Sequence, residues 1–511
     1  MKSQSSKKIN LKGLNKFLKN FIKVIKNSFK ALREVRIGPV TGNIILVVIV
    51  ALLFIILLGN IFSDKNLNYP VIYNNSDGDL YLLNSKDKND EKAIKLAVGE
   101  SVSNVVYANT SERYVLFMKN EDLYLYDTKQ KGETTKIIDS VISYTFSDDD
   151  KYIIALCEDN SLRVYNFKED EKLDSDVSDV IALSKDKILY EKEKTLYVRS
   201  LNYKKDDRQK VTEEYETQVK LTEDGKSILY INEDRELISY NIKKDNDEVL
   251  AKNVSSYYCN TEDCEKLFYV ESDDTKKIFY YDGKKEIEVA KDIYAVSDYD
   301  IENKQIIYST IEDGLYTLYY QKVGKDAVVI EDELTSIRTV KLFNGKDIYY
   351  INGDNEVKYV KISGSKIGDV KTLANDVSGY LYSYKDGFAF VADVDSNSRG
   401  TLYLAKNGKA KEIDSDVNYS LITISKKGNK IYYLKDYKTS GDLFVTSGGK
   451  GKKIADDVYT FEYINDDLIY YIKDYSTSKS RGDLYKYNGK TIKLADNITR
   501  IASSPVNFEV K

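Results

Sequence analysis

Short apolar runs alternate with short polar segments along almost the whole chain after residue 69. In "ISKKGNKIYYLKDYKTSGDLFV" (424–445), runs such as "IYYL" are separated by segments rich in Gly, Asn, Asp, Ser and Lys. Short runs rich in β-branched and aromatic residues are typical of strands, and Gly, Asn and Asp favour the turns between them. The pattern therefore predicts a series of short β-strands.

The strands form a repeat. Aligning every copy of the motif "xxLYxY" on its central aliphatic residue gives eleven positions, 34 to 45 residues apart, which we number as repeats 1 to 11: Leu80, Leu123, Leu162, Leu196, Leu237, Ile278, Leu318, Val357, Leu402, Leu443 and Leu484. A period of about 40 residues is that of β-propeller blades. The predicted fold class is therefore all-β, with about eleven four-stranded blades.

Each repeat contains four predicted strands, which we call a, b, c and d. Towards the end of the chain they read "LITIS" (421–425), "IYYL" (431–434), "GDLY" (482–485) and "TIKLAD" (491–496). Four short strands joined by turns make one propeller blade. Many runs are apolar throughout, as expected for a sheet that neighbours cover on both faces. The Gly of "GDLY", at 78 and 482, is expected at a turn position with positive φ.

The repeats resemble a known family. "LTEDGKSILYINEDRELISYNI" (221–242) and "ISKKGNKIYYLKDYKTSGDLFV" (424–445) are similar to the units of TolB-type β-propellers, which read Ser-x-Asp-Gly-Lys, an aliphatic-aromatic strand, a polar loop and Leu-Tyr. The resemblance covers most of residues 69–504 and implies a propeller fold. It implies no single activity, because such propellers serve as binding scaffolds, periplasmic adaptors and lids on hydrolases.

The strand order at the two ends of this region predicts ring closure. The region opens with a b strand, "PVIYN" (70–74), and closes with an a-like strand, "ITRIASS" (498–504). Pairing of these two strands would complete one blade. Eleven blades exceed the usual four to eight, so two abutting propellers that divide near residue 275 are favoured over one large ring.

One long apolar run, Ile44 to Phe62, has 19 residues without a charge. As a helix it spans about 28 Å, close to the bilayer core of roughly 30 Å. It predicts a transmembrane helix over 43–63 rather than a cleaved signal peptide, because a long segment precedes it and no small-x-small site follows it. Residues 1–42 hold 11 Lys and Arg against the single acid Glu34. Excess basic charge stays inside the cell, so we expect residues 64–511 to be extracytoplasmic.

The segment 1–42 has a helical pattern of its own. Apolar residues from Leu11 to Leu32 recur at spacings of three and four, and so do six lysines on another sector of the same helix: Lys12, Lys16, Lys19, Lys23, Lys26 and Lys30. This pattern predicts a basic amphipathic helix that binds anionic lipid at the cytoplasmic surface. Two alternatives are that the lysines only set the membrane orientation, or that the helix docks a cytosolic partner.

The composition argues against most catalytic functions. The chain has no His, which removes Ser-His-Asp and Cys-His chemistry and the commonest metal ligand. "DVDSNSRG" (393–400) begins like a calcium loop but lacks the Gly and Glu that such a loop needs, so it predicts an ordinary hairpin loop. We therefore predict no catalytic residues, no cofactor and no metal. A glycosidase with two carboxylates needs no His and is the less favoured enzyme alternative.

The chain has three cysteines. Cys259 and Cys264 flank the turn between strands a and b of repeat 6, where they could form a disulfide or stay as two thiols. Cys157 is expected to be a buried small apolar residue.

The connections from strand b to strand c are longest in the last three repeats. They contain "DVDSNSRG" (393–400), "KDYKTSG" (435–441) and "KDYSTSKSRG" (473–482). Antiparallel strands place all b-to-c connections on one side, so these three loops should cluster. Tyr and Arg are enriched at binding hot spots, which makes the candidate partner-binding residues Arg399, Tyr437, Tyr475 and Arg481. Alternatively, hairpin tips tolerate insertions that have no role in binding.

These features together predict a membrane-anchored extracytoplasmic β-propeller that acts as a non-catalytic binding or scaffold module of the cell envelope. Its partner is an unknown envelope protein or wall polymer. Nucleic acid is not expected, because the chain beyond residue 42 has 66 basic and 81 acidic residues, a formal charge of −15. The alternative is a signalling or assembly component that couples the exterior propeller to the cytoplasmic face.

A protease-protection experiment checks the predicted topology. In intact cells, a tag at residue 1 should be protected, while residues 64–511 should be cleaved by added protease. The same tag after permeabilisation serves as the control. Cleavage of the N-terminal tag in intact cells would contradict the predicted orientation.

Overall fold

The eleven aligned aliphatic residues all lie on strands in the computed structural model, and none of them is exposed to solvent (0% each). The structure describes residues 69–502 except 100–101, 108–112, 128–133, 203, 205–206, 217, 261, 274 and 386. The predicted cytoplasmic helix with its six lysines, and the predicted transmembrane helix 43–63, lie outside the described residues. Within the described stretches, no helix is long and apolar enough to cross a membrane.

The described strands of repeats 1 to 5 follow the predicted order. Repeat 1 contains β1 (Val71–Asn75), β2 (Leu80–Leu83) and, after a 3₁₀ turn (Asp90–Lys92), β3 (Ile94–Ala97). Repeats 2 and 3 contain β4 (Val102–Tyr107), β5 (Tyr114–Lys119), β6 (Asp122–Asp127), β7 (Thr134–Ile138), β8 (Val141–Phe146), β9 (Ile153–Cys157), β10 (Leu162–Tyr165) and β11 (Asp170–Asp174). Repeats 4 and 5 contain β12 (Val177–Ser184), β13 (Lys187–Lys192), β14 (Thr195–Ser200), β15 (Gln209–Thr212), β16 (Lys220–Leu221), β17 (Ser227–Ile231), β18 (Leu237–Asn241) and β19 (Asn246–Ala251).

The later repeats continue in the same way. Repeats 6 and 7 contain β20 (Val254–Cys259), β21 (Leu267–Glu271), β22 (Ile278–Tyr281), β23 (Glu286–Ala290), β24 (Ala295–Asp300), β25 (Gln305–Glu312), β26 (Leu315–Lys322) and β27 (Val328–Leu334). Repeat 8 contains β28 (Ile337–Phe343), β29 (Asp347–Asn352), β30 (Val357–Ser363), β31 (Lys366–Ile367) and β32 (Lys371–Ala374). Repeats 9 to 11 contain β33 (Tyr382–Tyr384), β34 (Gly387–Ala392), β35 (Arg399–Lys406), β36 (Lys409–Ile424), β37 (Ile431–Lys435), β38 (Gly441–Thr446), β39 (Lys452–Asn465), β40 (Leu468–Ser476), β41 (Arg481–Tyr487) and β42 (Thr491–Ile501).

The strands pair as a series of antiparallel sheets. Repeats 2 to 7 each form a four-stranded sheet in chain order, and repeat 8 adds the short β31 to its four. The strands of repeats 9, 10, 11 and 1 join in one thirteen-stranded sheet, because β36, β39 and β42 each end one repeat and begin the next. The prediction of an all-β, β-propeller-like fold is confirmed by this arrangement.

Strands d and a meet at a one-residue corner. In seven repeat junctions an Asp or Asn with a φ of 49° to 58° stands directly before a buried Val or Ile: Asp176, Asn253, Asp292, Asp376, Asp416, Asp457 and Asn497. Asp and Asn tolerate the left-handed region better than most residues. A single left-handed residue turns the chain between successive sheets without ending the strand, which explains the long β36, β39 and β42.

The Leu-Tyr motif builds an aromatic stack between strands b and c. The residue after the aligned aliphatic faces an aromatic ring on strand b, and the two rings stack at 5.2 to 5.9 Å in eight repeats: Tyr73–Tyr81, Phe117–Tyr124, Tyr190–Tyr197, Tyr269–Phe279, Tyr308–Tyr319, Phe390–Tyr403, Tyr433–Phe444 and Tyr471–Tyr485. Such pairs contribute about 0.5–1.5 kcal/mol each beyond the area that they bury. The abundance of Tyr in the sequence is therefore structural to a large extent.

The hydrophobic core lies between the repeats. In the part of the chain that the structure describes, the buried residues form eleven clusters, and each cluster joins two neighbouring repeats. One of them joins repeat 11 to repeat 1, where β1 pairs with the end of β42 (Tyr73 opposite Ile501). The buried Lys486 of β41 also donates hydrogen bonds to the backbone carbonyls of Ser85 and Asp87 in repeat 1.

One expectation about the "GDLY" glycines is wrong in part. Gly78 has a φ of 79°, as predicted, but Gly482 does not adopt a positive φ. A Cβ at Gly482 would lie 2.7 Å from the Lys473 carbonyl oxygen, and one at Gly441 would lie 2.6 Å from that of Lys435. In the last repeats, Gly is therefore needed because strands b and c approach each other closely at this point.

The structure describes all three cysteines. Cys259 and Cys264 are joined by a disulfide bond with a Cα–Cα distance of 5.2 Å. The bond closes the turn between β20 and β21. Cys157 is a buried free thiol on β9.

A buried carboxylate connects repeats 3 and 4. Asp174, at the end of β11, accepts hydrogen bonds from the Tyr190 hydroxyl (2.7 Å), Lys192 Nζ (3.0 Å) and Arg208 Nη1 (2.9 Å). Burial favours the neutral carboxyl group, but these hydrogen bonds together outweigh it and hold the pKa of Asp174 well below its usual range. Asp414 likewise accepts a hydrogen bond from a tyrosine hydroxyl, that of Tyr433, at 2.9 Å.

We expect Asp174→Asn to lower the free energy of unfolding at pH 7 by about 2 kcal/mol, because charged acceptors make the stronger hydrogen bonds. Since the folded pKa is depressed, the stabilisation is complete above the unfolded pKa of about 4 and is lost as the pH falls below it. The difference between variant and wild type should therefore shrink in acid. Chemical denaturation at pH 7 and below pH 4 measures this, with the exposed Asp186→Asn as control. Equal losses for the two variants would contradict the assignment.

Candidate functional site

The candidate site lies on the side of the sheets where strand b connects to strand c. Strands within a repeat are antiparallel, so every b-to-c connection leaves from this side and shares it with the corners from d to a. We call it the b–c side. In repeats 9 to 11 the connections are residues 393–398, 436–440 and 477–480.

The first connection is an ordered polar loop. The Asp395 carboxylate accepts backbone N–H groups from Asn397 (2.8 Å) and Arg399 (3.0 Å), and the Arg399 guanidinium at 2.9 Å. The hydrogen bond from the Arg399 backbone, followed by that from its side chain, lowers the pKa of Asp395 to about 2. The Asp395 carboxylate and the Arg399 guanidinium therefore form an ion pair with each other. Arg399 therefore positions this loop rather than presenting an unpaired guanidinium.

The second and third connections meet through a residue that the sequence interpretation did not single out. The Tyr475 ring stacks on the Tyr459 ring with 3.8 Å between centroids and 7° between planes. The Tyr437 hydroxyl donates to the backbone carbonyl of Tyr459 at 3.2 Å. Burial of the Tyr437 ring raises the pKa of its hydroxyl. Two of the four predicted residues, Tyr437 and Tyr475, are therefore brought together by Tyr459 of β39.

A similar aromatic group joins repeats 9 and 10. Tyr380 stacks on Tyr382 (6.2 Å) and on Tyr419 (6.0 Å), and the Tyr382 hydroxyl donates to the Tyr419 carbonyl at 2.7 Å. Tyr380 is 57% exposed, the most exposed ring among the large hydrophobic side chains described. The Tyr419 backbone N–H donates to the carbonyl of Ser398, which attaches this group to the first connection. We call the two groups together the tyrosine surface.

The hairpin of repeat 7 presents apolar residues on the same side. β25 and β26 are eight residues long each and meet at a tight turn containing Gly314 with a φ of 81°. Next to the turn, Ile311 is 43% and Leu315 40% exposed. The half-exposed Tyr294 contacts Tyr316 edge-to-face at 5.2 Å. The lengths of the b-to-c connections do not indicate this hairpin, because its turn is short and it is the two strands that are long.

Arg481 is the fourth predicted residue. It begins β41 opposite Ser476 and is half-buried. The structure gives its side chain no ion pair among the described residues. The predicted set is therefore divided: two tyrosines lie in one aromatic group, one arginine is held by its own loop, and one arginine lies at the base of the third connection.

Tyrosine side chains make up most of this surface. Across the described ranges, no group of three or more Cys, Asp or Glu side chains is placed to hold a metal ion. Burial raises the pKa of Glu462, on β39, to about 7. Tyrosine rings, in contrast, provide a rigid apolar area with a hydrogen-bonding hydroxyl at its edge.

Comparisons with known proteins add little. No family model matches the sequence, and neither does any curated protein. Among solved structures, the chain is similar to a eukaryotic initiation factor, with a TM-score of 0.40 and 10% identity over 83% of this chain and 94% of that one. It is also similar to the tricorn protease, with a TM-score of 0.26 and 14% identity, and covers 58% of that chain. Likeness at this level supports no argument about activity.

The stack of Tyr459 on Tyr475 should be measurable as a coupling energy. In a double-mutant cycle with Tyr459→Ala and Tyr475→Ala, we expect the unfolding free energies to depart from additivity by about 0.5–1.5 kcal/mol. The matched control pairs Tyr459→Ala with Tyr294→Ala, from repeat 7, which should be additive within about 0.5 kcal/mol. Additivity of the first pair would show that the rings do not stack in solution.

Proposed function

We propose that the protein is a non-catalytic binding or scaffold module of the cell envelope, and that its main binding face is the b–c side of repeats 9 to 11. The observation that carries this proposal is the tyrosine surface. Rings from consecutive repeats contact one another there and leave Tyr380 more than half exposed. Rigid aromatic side chains on a preordered scaffold bind with little loss of conformational entropy.

We further propose that the exterior region is a single closed ring of eleven blades of the TolB type. Support comes from the core clusters, since each repeat packs on the next and repeat 11 packs on repeat 1. The predicted boundary near residue 275 lies inside the sheet of repeat 6, between the paired strands β21 and β22. Phe268 of that sheet also packs with Ile306 of repeat 7. These contacts favour one ring over the two propellers predicted from the sequence.

The proposal includes a membrane anchor. Its support is the uncharged run 44–62 and the basic segment before it, which favour a single-pass protein with a cytoplasmic N-terminus and an extracellular C-terminal domain. An excess of acidic residues beyond residue 42 would repel nucleic acid and favour a protein or wall-polymer partner. The basic helix carrying Lys12 to Lys30 would bind anionic lipid on the inner leaflet.

Site-specific photo-crosslinking in living cells tests the binding face. A benzophenone side chain at Tyr380 should give a discrete adduct with an envelope component. The same group at Lys427, a 76% exposed residue in the turn between strands a and b on the opposite side, should not. Shortening residues 393–398, 436–440 and 477–480 to two-residue turns should abolish the adduct at Tyr380.

A matched control shortens the loop 447–451, which joins strands c and d of repeat 10 on the opposite side. Thermal melts of both variants establish that they fold. If the adduct forms from Lys427 alone, or survives the removal of all three connections, the binding face lies elsewhere.

A further inference from the structure

A cavity lies away from the tyrosine surface, along the first strands of repeats 4 to 7. Its volume is about 500 Å³, within the range of small-ligand sites. Strand a of repeat 4 lies beside strand a of repeat 5 (β12 and β16), and strand a of repeat 7 beside that of repeat 8 (β24 and β28). In a propeller, this is the side of the blades that faces the central channel.

Hydrogen bonds between repeats order the wall of this cavity. The Tyr257 backbone N–H donates to Gln218 Oε1 at 3.1 Å, and Lys220 Nζ donates to the Asn260 carbonyl at 3.1 Å. The Tyr299 hydroxyl donates to the Cys259 carbonyl at 3.3 Å. The disulfide of Cys259 fixes the turn that follows β20. The wall is therefore formed before any ligand arrives.

The lining combines two aromatic rings with two opposite charges. Tyr258 and Tyr299 are half-buried, and their ring centroids lie 5.5 Å apart with 56° between the planes. Lys220 and Glu223 are the charged residues of the lining. Burial lowers the pKa of Lys220, and no carboxylate lies within ion-pair distance of its ammonium among the residues that the structure describes. The Lys220 ammonium donates to the Asn260 carbonyl and to Cys259 Sγ (3.6 Å), which leaves one of its three N–H groups for a ligand.

We propose that this cavity binds a neutral pyranose ring of a glycan, with one sugar face on Tyr258 or Tyr299 and hydroxyl groups on Lys220 and Glu223. One face of a pyranose consists largely of C–H groups, which pack on the partly negative face of an aromatic ring. Its hydroxyls both donate and accept, so the ammonium and the carboxylate of the lining can each bind one of them.

The lining argues against charged ligands. An anion would be attracted by the Lys220 ammonium but repelled by the Glu223 carboxylate. A cation would be attracted by Glu223 but repelled by Lys220. A flexible polyol could use both charges but would leave the two rings without a packing partner. This inference goes beyond the proposed binding face, because it concerns different repeats and can fail independently of it.

Isothermal titration calorimetry of the full-length chain tests the inference. The detergent must carry a zwitterionic head group, because sugar detergents would compete. Cellotriose or chitotriose should bind, whereas glucuronate and the open-chain polyol sorbitol should bind at least about tenfold more weakly. Lys220→Gln should lower the affinity for the trisaccharide about tenfold, as expected for the loss of a hydrogen bond from a charged donor.

The aromatic contact is tested separately. Tyr258→Ala should weaken trisaccharide binding about three- to tenfold, while Tyr258→Phe should keep it, because the ring remains. Near-UV circular dichroism establishes that the variants are folded. Lys243→Gln removes an exposed lysine of the same repeat and should bind like wild type. Tyr380→Ala and the variant with three shortened loops should also bind like wild type.

Three outcomes would overturn the inference: no heat with either trisaccharide up to its solubility limit, glucuronate or sorbitol binding as tightly as the trisaccharide, or unchanged affinity in both Lys220→Gln and Tyr258→Ala. The photo-crosslink at Tyr380 is expected to persist in Lys220→Gln. Loss of sugar binding with an intact crosslink therefore separates failure of this cavity from failure of the binding face.

Discussion

No repeat in this protein can bury its hydrophobic residues alone. Each four-stranded sheet is apolar on both faces, and every core cluster of the described residues consists of one repeat packed on its neighbour. A sheet at the end of an open row would expose one face, with buried residues such as Val71 and Leu484 in contact with water. At about 25 cal/mol per Å² of apolar surface, an uncovered sheet face is a large cost for a fold of marginal net stability. Pairing of β1 with β42 accompanies a core cluster that covers one face of repeat 1 and one face of repeat 11.

A few positions of each repeat provide this packing between neighbours. The aligned aliphatic residue fills the core, the next residue stacks on an aromatic ring of strand b, and an Asp or Asn turns the chain into the following sheet. In all eleven repeats the register between strands c and d shifts directly after the aliphatic residue. Such bulges increase the local twist of a strand.

Much of the fold could be predicted from the sequence, because burial on both faces leaves a strong apolar signal. The buried positions of Leu80 and Leu484 follow directly from the repeat. The contact of Tyr459 with Tyr475 could not be predicted from the repeat. It depends on the corner at Asp457, which a hydrophobic pattern does not encode. The signal for that corner was present as the recurring Asp-Val or Asn-Ile pair. The sequence also predicts a positive φ at Gly482, which is wrong. Close approach of two backbones and a positive φ both select Gly, so the residue type alone does not distinguish them.

The pairing of β1 with β42 also sets an order of events during synthesis. Asn74 and its partner Arg500 are 426 residues apart. At about 5–20 residues per second, roughly 20 to 90 seconds separate the appearance of the two strands. Throughout that interval β1 presents an unpaired edge, the kind of surface on which nascent chains aggregate. The first repeat is thus the last to be completed. Until β42 is made, β1 has β2 as its one hydrogen-bonded neighbour among the described strands.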